Sequence, residues 1–72
     1  MVKTQNIDTG LLDEAIEKSG LKTNFIVTSL GISRQAFDRK RKGITAFRQS
    51  EIYVLCDLLK LDETRRKDIF FP

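Results

Sequence analysis

Apolar positions recur at helical intervals along most of the chain. In "LLDEAIEKSG", residues 11–20, Leu12, Ala15 and Ile16 share one face of a helix while Asp13, Glu14 and Glu17 point to water. Asp8 or Thr9 is the candidate N-cap, the two early acids suit the positive end of the helix dipole, and Gly20 is a natural stop. Thr23 or Asn24 then caps a short helix through "FIVTSLG", ended by Gly31, and Ser33 caps a third, "RQAFDRKRK", closed by Gly43. After a linker, "GITAF", the segment "RQSEIYVLCDLLKL" has the clearest amphipathic pattern, with Ile52, Leu55, Cys56 and Leu59 on one face. Asp62 caps a last helix, "ETRRKDIFF". Residues 1–7 show no periodicity and read as a loose N-terminal arm. With no Asn-Gly hairpin and no sustained alternation, the pattern predicts one all-α domain of five short helices.

Composition narrows the function classes. At 72 residues the chain is near the lower limit for burying its own core, and 40% hydrophobic residues with five phenylalanines make that core feasible. The lone Cys56 sits in an apolar run, reads as core filler and fits a reducing compartment. No charge-free stretch reaches membrane-spanning length, and "MVKTQNIDTG" lacks the apolar region of a signal peptide, so a cytoplasmic protein is expected. There is no His, no second Cys, no Gly-rich phosphate loop and no nucleophile motif. The expectation is therefore a non-enzyme without metal, cofactor or small-molecule substrate.

Charge is where the sequence becomes specific. The net charge is +3, but the stretch from Arg34 to Arg48 holds six basic residues against one acid, Asp38. The rest of the chain, with seven bases and nine acids, is slightly acidic. A basic block on an otherwise acidic chain is a directed electrostatic footprint. What precedes it matters more. "TNFIVTSLGISRQAFDRKRK", residues 23–42, reads as a helix, a tight turn and a second helix, with Gly31 supplying the turn. Ile26, Leu30, Ile32 and Phe37 are apolar where the two helices would meet. Ser33, Arg34 and Gln35 then occupy the first turn of the second helix, which in a helix-turn-helix faces base edges. Arg pairs with guanine and Gln with adenine, while Ser33 and the backbone amides suit phosphate. Arg39, Lys40, Arg41 and Lys42 would hold flanking phosphates.

The order "LKTNFIVTSLGISRQAF", then Gly43, "SEIYVLCDLLKL" and "IFF", resembles the small lambda-repressor-like regulators of temperate phages over residues 9–71. Within that family the chain is most similar to Cro-type or modulator-of-repression (MOR) proteins. The resemblance implies a regulator of the switch between lysis and lysogeny that opposes a larger CI repressor. It also implies that Ser33, Arg34, Gln35, Arg39 and Lys42 match positions used for DNA contact. With Asp38, Lys40 and Arg41 these residues form the candidate binding set for DNA or a protein partner. Four positions depart from the family pattern: Val27 where Ala is usual, Arg41 where Leu is frequent, Lys42 where many have Asn, and Arg48 in place of a small capping residue. The last would leave Glu51 without a capping-box partner.

Two leading function classes follow, with an antitoxin-like regulator paired with a toxin as a third that lacks the usual toxin-binding tail. In one, the third helix enters the major groove of operator DNA. In the other, the same surface binds the DNA-binding domain of a CI-type repressor, and the protein is an anti-repressor. Ile69, Phe70 and Phe71 are expected to close the core, the alternative being an exposed apolar end. Tyr53 and Val54, on the outer side of the fourth helix, raise the same choice.

Overall fold

In a computed structural model, which describes residues 7–72, the chain is all-helical. Its five helices are α1 (Thr9–Ser19), α2 (Thr23–Leu30), α3 (Arg34–Arg41), α4 (Gln49–Leu58) and α5 (Glu63–Phe70), with no strand among the described residues. The arm expected at residues 1–7 falls outside the described residues except for Ile7. That residue is half-buried and packs on the core.

Local chemistry explains most boundaries. Asp8 caps α1 by accepting from the Leu11 amide at 3.0 Å, Ser33 caps α3 by accepting from Ala36 at 3.1 Å, and Asp62 caps α5 by accepting from Arg65 at 2.7 Å. Two expectations at helix starts are corrected. α1 begins at Thr9, so Asp13 and Glu14 lie beyond its first turn. α2 begins at Thr23 behind Lys22, with no side-chain cap, so neither Thr23 nor Asn24 is its N-cap.

Gly31 ends α2 in the left-handed region at φ 72°, and its amide donates to the carbonyls of Val27 and Thr28. A side chain at this φ would be strained, so glycine is what lets the chain reverse within three residues into α3.

The core draws on every helix. Leu12, Ala15 and Ile16 of α1 meet Ile26 and Val27 of α2, Phe37 of α3, and Ile52, Leu55 and Cys56 of α4, with Leu59 following and Ile69 and Phe70 closing from α5. The Asp8 amide donates to the Ile69 carbonyl at 2.8 Å, which ties the start of α1 to the end of α5. Burial pushes the Cys56 thiol above its ordinary pKa, only partly opposed by the charge of Arg66, as fits a packed rather than reactive cysteine.

Phe47 is a core residue inside the segment read as a linker. Its ring meets Phe37 edge-on at 6.3 Å and Phe70 at 5.7 Å, an aromatic chain that joins α3, the α3–α4 connection and α5. Ile69 and Phe70 are buried as expected, but Phe71 stands out in solvent.

Candidate functional site

α3 has two distinct sides, and helical geometry separates them. At about 100° per residue, Gln35, Asp38, Arg39 and Lys42 fall on the side away from Phe37, while Arg34, one turn before Phe37, lies at the edge between the two sides. In the structure Ser33, Arg34, Gln35, Arg39 and Lys42 are exposed and Asp38 is half-buried, so all six candidate residues are accessible from solvent. Apart from the cap made by Ser33, their side chains have no hydrogen bond or ion pair among the described residues. Their charge faces solvent.

Lys40 and Arg41 flank Phe37, and the structure assigns both elsewhere. Lys40 is 8% exposed, and its Nζ donates to Glu51 Oε1 at 2.6 Å. The same carboxylate oxygen accepts from the Arg48 amide at 2.8 Å. Glu51 therefore does what a capping-box glutamate does for the backbone amide before α4, although Arg48 offers no side-chain acceptor in return. The expectation that Glu51 would lack a capping-box partner is thus corrected for its carboxylate, which takes the Arg48 amide, and Lys40 adds an ion pair to it. The pair bolts the last turn of α3 to the first turn of α4, with each charge at the favourable end of its helix dipole. Lys40 is thus a structural cation in this conformation, not one of the solvent-facing phosphate contacts expected from the sequence.

Arg41 is half-buried. Its Nε donates to Asp13 Oδ1 of α1 at 3.1 Å, and its guanidinium lies 5.8 Å from the centre of the Phe37 ring. The head that was expected to reach flanking phosphates instead holds α3 against α1 and covers the core phenylalanine. Of the four cations at the end of α3, Arg39 and Lys42 remain outward.

Electrostatics within the clamp give a pH prediction. Burial pushes the Glu51 carboxyl up, but the Lys40 hydrogen bond, the Arg48 amide and the charges of both basic residues outweigh it, so its pKa lies below the ordinary 4.5. A depressed folded-state pKa adds stability above the unfolded value, and that stability is lost as pH falls through the folded one. Urea denaturation of the protein and of Glu51→Gln should therefore show a wild-type advantage at pH 7 that shrinks as acid is added below pH 4.5. An advantage that stays constant through that range would remove Glu51 as the titrating group.

An apolar side chain borders the cationic surface. Ile44, shortly after α3, is 63% exposed although its amide donates to the Arg39 carbonyl at 2.9 Å. No group of three or more His, Cys, Asp or Glu residues placed to hold a metal ion occurs among the described residues. Nor is any helix there long and apolar enough to cross a membrane. No protein-family model, curated protein or solved structure matches the chain.

Proposed function

We propose that the chain is a helix-turn-helix regulator of the lambda-repressor-like, phage genetic-switch kind, acting on DNA in the cytoplasm of a bacterial host. One observation carries this reading. The first turn of α3 presents Ser33, Arg34 and Gln35 to solvent directly after a glycine turn, and Arg39 and Lys42 continue the same accessible side. In major-groove recognition the first turn reads base edges and cations farther along hold phosphate. Arg34 and Gln35 are the base readers. Arg39 and Lys42 are the backbone contacts.

The test is titration of promoter DNA with the purified protein at several salt concentrations. Arg34→Ala should cost about 1–3 kcal/mol at the preferred site and little on random DNA. Lys42→Ala should weaken binding to all sequences and lower the salt slope by roughly 1. Equal losses on specific and random DNA for Arg34→Ala would remove it as a base reader.

A second reading is favoured by Ile44. A large exposed apolar side chain beside a cationic helix suits a protein partner better than a phosphate backbone. Under this reading the α3 surface binds the DNA-binding domain of a CI-type repressor, and the protein modulates repression by occupying it. The same titration, repeated with repressor present, separates the two. A complex that forms only with repressor, and that charge reversal at Arg34 weakens, selects the anti-repressor. A homodimer that binds operator DNA tightly and ignores the repressor selects the DNA-binding regulator.

A further inference from the structure

A second surface lies on α4 and α5, built by residues that the α3 surface does not use. Tyr53 is 55% exposed and Phe71 53% exposed, and between them opens a cleft of about 100 Å³ lined by Gln49, Ile52, Tyr53, Arg66 and Phe71. Phe71 and Arg66 also wall a neighbouring depression that includes Glu63 and Lys67. Tyr, Arg and other aromatic side chains around a small cleft are the composition of an interface hot spot.

The polar groups of the cleft point to the partner's charge. Arg66 is half-buried and, like Lys67, has no carboxylate partner among the described residues. The Tyr53 hydroxyl accepts from Gln49 Nε2 at 3.2 Å, so its own proton remains free to donate outward. No acid lines the cleft itself. A guanidinium and a phenol therefore offer donors beside an apolar floor, the arrangement that a carboxylate next to an aliphatic side chain completes.

Size argues for a peptide. An apolar cavity of about 150 Å³ takes a benzene molecule, so this cleft has room for one aliphatic side chain. A second copy of the chain is a poorer fit, because a two-fold contact would bring Arg66 and Lys67 near their own counterparts with Glu63 as the one acid in the patch. We propose that the Tyr53–Arg66–Phe71 cleft docks an acidic peptide segment of a partner protein, with an aliphatic side chain in the cleft and an adjacent Asp or Glu on Arg66. The protein would then carry two independent binding surfaces, and the second does not depend on what α3 binds.

The experiment selects binders from a random peptide library on the intact protein, then measures their affinity by calorimetry. Peptides pairing an aliphatic residue with Asp or Glu should be enriched. Their affinity should fall about tenfold or more, the effect of one hot-spot side chain, on Arg66→Gln and again on Phe71→Ser, and stay unchanged on Arg34→Ala. Phe71 is exposed and Arg66 half-buried, and thermal melting confirms that the variants fold. Absence of enrichment, selected peptides without an acid, or affinities indifferent to the two substitutions would overturn the proposal. So would a homodimer in sedimentation that Phe71→Ser dissociates, or oligothymidylate binding that the same substitutions abolish.

Discussion

Replacing Phe37 with alanine is expected to cost about 3–5 kcal/mol of folding stability, the range for removing a fully enclosed aromatic side chain. Phe37 is completely buried, meets Phe47 edge-to-face and lies under the Arg41 guanidinium. Its loss removes apolar contact from α3, from the α3–α4 connection and from the Arg41 stem at once. At about 0.05–0.15 kcal/mol per residue, a domain this small has little stability to spare, so the variant should be largely or partly unfolded at room temperature. Urea denaturation followed by circular dichroism measures the effect. Tyr53→Ala, at an exposed position, should change the same midpoint by no more than about 0.5 kcal/mol. A Phe37→Ala loss below about 1 kcal/mol would mean that α3 is not held by this aromatic contact.

Phe37 also shows what the sequence discloses and what it withholds. Leu12, Ala15, Ile16, Ile52, Leu55 and Cys56 follow from periodicity, because each recurs at a spacing that only a helix puts on one face. Phe37 has no apolar residue three or four positions away within α3, and its place follows instead from the helix-turn-helix pattern, which puts it where α2 and α3 meet. The caps at Asp8, Ser33 and Asp62 and the glycine turn at Gly31 were legible because each depends on a few neighbouring atoms. Phe47 was not. A single apolar residue in a connection has no periodic signal, and only the meeting of α3 and α5 around it makes it core.

The basic run "RKRK" misled for a related reason. Four consecutive cations suggest one charged patch, whereas a helix distributes them around its circumference. Stepping about 100° per residue from Phe37 places Lys40 and Arg41 on either side of the buried stripe, a signal that was available before the structure. What the sequence could not show was that Glu51 and Asp13 lie opposite them. Those acids are 11 and 28 positions away, and only the tertiary fold brings them near.

Lys40→Met should be among the most damaging single substitutions that leave the apolar core itself intact. Removing one partner of a buried ion pair strands the other charge, at a cost of about 3–5 kcal/mol. The Lys40 and Glu51 side chains are only 10% and 7% exposed, so water offers the stranded carboxylate little relief. Protonation of Glu51 is its main escape, and the variant should accordingly recover some stability as pH falls. Adding Glu51→Gln removes the buried charge while keeping an oxygen for the Arg48 amide, so the double variant should regain most of the loss. Their coupling is expected in the range of about 0.5–3 kcal/mol for directly contacting residues. A loss below about 0.5 kcal/mol for Lys40→Met would show that the clamp carries no weight. The folded double variant also separates structure from ligand binding. Were Lys40 a phosphate contact, its removal would lower the salt slope of DNA binding by roughly 1. With its ammonium committed to Glu51, the slope should match that of the wild type, while Lys42→Ala, on the open side of the same helix, should lower it.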